Sequence, residues 1–312
     1  NTSVIGIRGN FDDAQTGVKA IFNNKELAAS IKKKGFLFSS ANSINIGRLV
    51  PQIVYYVYAY TRLMKEGKIQ EGEKLNVVVP TGNFGNILAA YYAKCSGLPL
   101  GKLICASNDN KVLYDFFTTG SYNRNREFIL TTSPSMDILI SSNLERLIYL
   151  SAGCDAQKNS QLMAELSATG AYQVTPEMKA WMKDFQGGYA TEEENAAQIR
   201  HVYDQTGYLM DTHTGVASCV YRKYVKATGD KTPTVIASTA SPYKFSHSVM
   251  EAVSGDQKDK DEFAIIDDLC KASGVPIPQA VEEIRGAQIR HNRTCEPAQM
   301  EQVVAEILGL SI

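Results

Sequence analysis

The sequence predicts an α/β protein with a mostly parallel, twisted sheet flanked by helices. Residues 75–79 are an apolar run interrupted only by Asn76, as expected of a central parallel strand covered on both faces. That run ends in Thr81-Gly82-Asn83-Phe84-Gly85-Asn86, and a helical pattern over 86–95 leads to a second apolar run at 103–106. Strand, glycine turn, helix and strand make one βαβ unit. A third apolar run, 234–237, is again followed by a hydroxyl-rich segment and a helix start.

In chain order, residues 4–7 read as a strand, and Asn10 or Asp12 then caps a helix with Val18, Ile21 and Phe22 on its apolar face. Acids at that start suit the positive end of a helix rather than a metal, and Lys32-Lys33-Lys34 suits a solvated helix end. Residues 36–46 are polar and turn-like. The next helix places Leu49, Ile53, Tyr56 and Tyr60 on one face, with Pro51 in its first turn. Residues 67–73 form a loop, and Gly97 and Pro99 close the 86–95 helix. Further helices are expected at 136–150, 156–166, 176–185 and 192–205, the last opened by a Thr191/Glu194 capping box. Residues 216–227 are helical, and Ser241-Pro242 opens a helix through 253. The tail, 261–310, reads as amphipathic helices broken at 274–278.

A chain of 312 residues is long enough to bury a large core. Its hydrophobic content of 44% and charged content of 21% are those of a globular protein. A net charge of -1 gives no global field for nucleic acid or a membrane surface. The six cysteines form no CxxC pair and stand at no metal-ligand spacing from a histidine, so free thiols in a reducing cytoplasm and no metal are expected. No apolar stretch has the length of a transmembrane helix. The chain starts at Asn1, without methionine, and runs straight into a strand-like segment. That start reads as the middle of a domain, and a fragment is expected.

Four segments carry candidate chemistry. In Gly82-Asn83-Phe84-Gly85-Asn86, two glycines at a strand's carboxyl end let the backbone approach an anion, and the next helix aims its N–H groups at the same place. The spacing matches no nucleotide-binding loop and supplies no lysine, which disfavours ATP; a plain tight turn would use the same glycines. Ser238-Thr239-Ala240-Ser241-Pro242 places a hydroxyl at a strand end, where it would bond a heterocyclic nitrogen or cap the next helix. Ser43, Asn45 and Arg48 crowd a turn and a first helical turn, a set that suits a dianion or a simple Asx turn. His213 in Asp211-Thr212-His213-Thr214-Gly215 is a candidate acid or base, or a structural residue at a helix start.

In this order the segments SSANSINIGRLVPQIVYYVYAY, VVVPTGNFGNILAAYYAK, GYLMDTHTGVA and STASPYKF resemble the threonine synthase family, in its long bacterial and fungal subclass. The resemblance runs from the GNFDDAQ helix to the tail. One departure is Thr239-Ala240-Ser241-Pro242, where the family usually has Thr-Ala-His-Pro. The resemblance implies a pyridoxal 5'-phosphate (PLP) enzyme of the tryptophan synthase β fold type (fold type II). It implies that Gly82, Asn83, Phe84, Gly85 and Asn86 hold the cofactor phosphate and that Thr239 faces the pyridine nitrogen. Ser43, Asn45 and Arg48 become candidates for the substrate phosphate. The implied reaction converts O-phosphohomoserine and water to threonine and phosphate, with PLP as electron sink. Residues 1–40 would then end a small cofactor domain, and 41–312 would form the large domain, with a helical insertion near 150–205. The family's Schiff-base lysine lies in a Phe-Lys-Asp type motif that does not occur here, and Lys25, Lys74 and Lys244 have other neighbours. That lysine is expected upstream of Asn1, so that this chain alone binds PLP weakly and does not turn over. A PLP-dependent phospho-amino-acid lyase and a non-catalytic phosphate- or partner-binding fragment are the other readings.

Overall fold

The computed structural model describes residues 2–9 and 11–310; the expected cap at Asn10 lies outside them, as does the side chain of Asp12. The strands are β1 (Gly6–Ile7), β2 (Leu75–Pro80), β3 (Leu100–Ser107), β4 (Ser121–Asn123), β5 (Ala171–Gln173), β6 (Phe185–Tyr189), β7 (Thr234–Ile236) and β8 (Thr294–Cys295). The chain divides into two compact units, one formed by Asn42–Val281 and one by Asn1–Ala41 with Glu282–Ile312.

The larger unit is built on a four-stranded sheet in the order β6-β3-β2-β7, parallel throughout. Every residue of β2 is buried, which explains its run of valines; the one polar residue, Asn76, donates to Asp230 at 2.8 Å and accepts the Lys102 N–H at 2.7 Å. Its side chains still alternate. Val77 and Val79, with Leu103 and Cys105 of β3, pack against Ile87 and Leu88 of the helix Gly85–Cys95. Val78, with Ile104 and Ala106, packs against Val216, Ala217 and Val220 of the helix Thr212–Thr228. A period of two thus serves two cores at once. Each such buried Val, Leu or Ile side chain contributes about 1.5–3 kcal/mol.

Several elements match the sequence expectation, including the Thr191/Glu194 capping box on Glu192–Thr206 and the basic last turn of Lys25–Lys33. All six cysteines are free, and burial pushes the Cys105 thiol up to about 12. Other elements differ. Of the apolar residues expected on the first helix, Phe11–Asn23, Ile21 is buried, whereas Val18 and Phe22 are 44% and 40% exposed. The segment around Pro51 is broken into Ile46–Leu49, a 3-10 turn Val50–Gln52, and Ile53–Lys65. Ser241 caps a 3-10 turn, Pro242–Phe245, before the helix Ser246–Ser254.

Two corrections bear on function. The helix expected at 176–185 stops at Trp181, and Phe185 starts β6, an edge strand of the main sheet. The region near 150–205 is therefore not a purely helical insertion. Gly187 and Gly188 hid this strand, because they break any apolar run. They are there for close packing: a Cβ on Gly187 would stand 3.1 Å from Tyr114 Cα, and one on Gly188 would overlap Val220. The helix expected at 136–150 is a 3-10 turn, Pro134–Met136, followed by an irregular segment up to the helix Leu144–Ser151. The buried Asp137 explains the break. It accepts hydrogen bonds from Asn108 (2.8 Å), Asn110 (3.0 Å) and the Thr131 N–H (2.9 Å), a set of partners that helical geometry would not bring to it.

In the smaller unit β1 pairs in parallel with β8, Gly6 opposite Thr294 and Ile7 opposite Cys295. Met300 and Val303 pack with Ile21, Leu27 and Ile31. Residues 282–312 thus join the N-terminal segment and not, as the sequence suggests, the large domain. A two-residue strand pairing across the length of the chain leaves no local sequence signal.

The tight contact at β6 is testable. Gly188→Ala should destabilise the chain by about 1–3 kcal/mol through overpacking against Val220. Urea unfolding monitored by circular dichroism measures the loss.

Candidate functional site: a glycine turn at the carboxyl end of the sheet

At the carboxyl end of β2 the Thr81 N–H bonds Ala106 O at 2.8 Å, and the chain then leaves the sheet. Phe84 adopts the left-handed conformation, φ 63°. This costs a non-glycine residue roughly 1–2 kcal/mol. Its buried ring, 5.9 Å from Phe117 and 5.7 Å from Phe185, offsets that cost. The turn swings the chain into the helix Gly85–Cys95, whose first turn has no side-chain cap. Its leading N–H groups and positive dipole end suit an anion.

Both glycines are required by what lies behind them. A Cβ on Gly82 would stand 2.5 Å from Ser135 O and 3.2 Å from Met136 Cα. A Cβ on Gly85 would overlap the hydroxyl of Ser43. Neither position has room for a side chain, which goes beyond what a plain tight turn demands.

The segment 135–143 runs along the turn and holds it. Ser141 Oγ donates to Gly82 O at 2.7 Å, and Ser142 Oγ donates to Asn83 Oδ1 at 3.1 Å. Asn143 Nδ2 donates to Asn83 O at 2.8 Å and to Ser43 Oγ at 3.1 Å. Arg146 donates to Ile44 O at 2.8 Å. A helix over 136–150, as the sequence predicts, would not bring Ser141, Ser142 and Asn143 to the turn. Three adjacent small polar residues between apolar segments were the available signal for a loop.

The expected site residues fall into two groups. Gly82, Asn83, Phe84, Gly85 and Ser43 meet at the turn. Asn86 also borders a cavity of about 570 Å³ lined by Arg48, Tyr55, Tyr56, Ser238 and Thr239. Tyr56 donates to Asn86 through its hydroxyl, and burial raises its phenol above the ordinary value, keeping the donor protonated. Asn45 caps the helix Ile46–Leu49, its Oδ1 accepting the Gly47 N–H at 3.0 Å. His213 lies outside that cavity, 3% exposed, with Nδ1 3.1 Å from Asp211 Oδ1 and Nε2 accepting the Ser135 N–H at 3.2 Å. With both ring nitrogens engaged, it is not placed as a free acid or base. Burial works to raise the Asp211 carboxyl, but hydrogen bonds from His213 and Thr214 prevail and hold it below the ordinary value. Among the described residues, no group of three or more His, Cys, Asp or Glu could hold a metal, and no helix is long and apolar enough to cross a membrane.

Residues 214–294 match the family model described as threonine synthase, C-terminal. The chain is 37% identical over 270 residues to threonine synthase of Saccharomyces cerevisiae, covering 82% of this chain and 51% of that protein. By sequence the chain belongs to the threonine synthase family. It is 43% identical over 257 residues to threonine synthase-like 1 of Homo sapiens, covering 81% of this chain and 34% of that protein. The crystal structure of PLP-bound threonine synthase from Brucella melitensis superposes with a TM-score of 0.76 at 33% identity, over 98% of this chain and 59% of that one. The chain therefore spans only about a third to about half of the length of these two curated relatives. The mixed α/β architecture with its parallel sheet is the threonine synthase fold.

The capping carboxylate has a measurable signature. The stability that Asp211 supplies is present above the unfolded-chain value, about 3.9. It is lost as pH falls through the lower folded value. Asp211→Ala should cost about 1–2 kcal/mol at neutral pH through the lost helix cap. Asp211→Asn should keep most of the cap but show a flatter fall in stability with acid. Denaturant unfolding across pH separates the two.

Proposed function

We propose that this chain forms the phosphate-gripping part of a PLP-dependent threonine synthase, which converts O-phosphohomoserine and water to threonine and phosphate. The observation that carries this reading is the uncapped helix start behind Gly82 and Gly85, next to a cavity edged by Arg48 and Thr239. The residues present fit the cofactor. The turn offers backbone donors with no competing side-chain cap, suited to a phosphate monoester. Thr239 offers a neutral hydroxyl to a pyridine nitrogen, and the cavity volume lies in the range of about 300–1,000 Å³ typical of small-molecule sites.

In this reading the N–H groups of 82–86 anchor the cofactor phosphate, and Thr239 orients the ring. Arg48, with Ser43 and Asn45 nearby in sequence, receives the substrate phosphate. The guanidinium offers paired donors to a dianion, while Ser43 and Asn45 fix the turn that presents it. The bound cofactor supplies the electron sink that makes bond cleavage at the substrate's carbons feasible. In this reading none of Lys25, Lys74 and Lys244 is the lysine that anchors it covalently.

Calorimetric titration of the chain with PLP should show weak noncovalent binding. Gly85→Ala, which drives a methyl into Ser43, should weaken it by about ten-fold or more, a loss of about 1.4 kcal/mol. Arg48→Ala should leave PLP affinity within about two-fold, far less than the ten-fold step of 1.4 kcal/mol. In the complete enzyme it should raise KM for phosphohomoserine. Threonine and phosphate as joint products support the reading. Phosphate without threonine assigns a phospholyase, and an unchanged PLP affinity in Gly85→Ala sinks the cofactor site.

A further inference from the structure

Gly82 is backed by main chain. Ser135 O and Met136 Cα occupy the space where its side chain would be, so the position of the 133–136 turn sets how far the glycine turn can settle. The 133–136 turn is held from below by the start of the helix Thr212–Thr228. Ser135 N–H donates to His213 Nε2 at 3.2 Å, and Thr212 Oγ1 donates to Thr132 O at 2.7 Å.

The first of these bonds specifies a tautomer. An N–H aimed at Nε2 needs a lone pair there, so the ring proton belongs on Nδ1. Nδ1 faces Asp211 Oδ1 at 3.1 Å, and that carboxylate has no freedom to turn away. The same oxygen accepts the His213 N–H at 2.9 Å and the Thr214 N–H as the helix cap, and the other oxygen accepts the Thr214 hydroxyl. The ring is further wedged against Phe245, centroids 4.8 Å apart. Helix capping thus fixes Asp211, Asp211 fixes the tautomer of His213, and His213 fixes Ser135 beneath Gly82.

We propose that Asp211 and His213 are positioning residues for the anion-binding turn, acting through Ser135 to set the aim of the N–H groups of residues 82–86. The local geometry carries this independently of the cofactor; only its effect on PLP rests on the function proposed above. Neither residue touches the ligand. What His213 contributes is a hydrogen-bond acceptor at a fixed height, and a glutamine amide oxygen can supply the same acceptor where leucine cannot.

The test uses the 312-residue chain with His213→Leu and His213→Gln. Amide hydrogen exchange is read at Ser135 and at residues 82–86, and PLP affinity is read by calorimetry below each variant's unfolding midpoint. His213→Leu should speed exchange at both segments and weaken PLP binding about ten-fold, as expected for one lost buried hydrogen bond. His213→Gln should restore most of both. Unchanged exchange at 82–86 in folded His213→Leu overturns the proposal. So does a His213→Gln variant as impaired as leucine. If wild-type chain fails to bind PLP, the cofactor reading falls, while the exchange comparison still decides this one. Should His213→Leu not fold, nitrogen NMR of the wild-type imidazole decides: a proton on Nδ1 supports the proposal, and one on Nε2 refutes it.

Discussion

The close approach of three backbone segments at Gly82 and Gly85 is the constraint on which the rest of the site depends. The turn after β2 is pressed between Ser135 and Met136 on one side and Ser43 on the other, with no room for a Cβ at either glycine. Such an approach is possible only without side chains. It also needs a sharp change of chain direction, which the left-handed Phe84 supplies. The aromatic group formed by Phe84, Phe117 and Phe185 therefore has two jobs. It is part of the hydrophobic core, and it stabilises the backbone conformation that points the helix Gly85–Cys95 at the cavity.

The backing segment is held by polar groups rather than by regular structure. Asp137 is buried and surrounded by donors from Asn108, Asn110 and Thr131. A buried carboxylate without such partners would cost several kcal/mol, roughly the penalty for stripping an ion of water. The satisfied network instead ties together the end of β3, the 129–137 loop and, through Ser141 and Asn143, the glycine turn. Glu192 adds a further tie by accepting the Thr132 N–H at 2.8 Å. Networks of this kind are stiff when complete, because each bond orients the next.

This division explains what the sequence made legible. β2 and β3 were readable because a strand buried on both faces needs mostly apolar residues, and β7, a half-buried edge strand, keeps a short run of them. The glycine turn was readable because its residue types are rare in combination. β6 was not, since Gly187 and Gly188 answer to the helices packed against them and erase the apolar signal. The 137–143 segment was not, because Ile138, Leu139 and Ile140 mimic a helical core stretch. Its fold is set instead by partners far away in sequence, such as Asn108 and Gly82. His213 was visible as a residue of interest, but its role depends on Ser135, seventy-eight positions earlier. Contacts at that separation leave no pattern within a single helix or strand.

Burial then separates the residues that shape the turn from those that line the cavity. Gly82, Gly85, Asn143, Asp211 and His213 are buried, whereas Arg48 and Thr239 are exposed at the cavity. Substitutions in the first set remove packing or hydrogen bonds that hold the turn, so they bear on stability. Substitutions in the second set fall on side chains that line the cavity. Asn86 stands between the sets, half-buried, taking the Tyr56 hydroxyl on one side and edging the cavity on the other. The helix Ile53–Lys65 is thereby tied to the first turn of the helix Gly85–Cys95. A shift of Tyr56 would reach the glycine turn through a single hydrogen-bonded side chain.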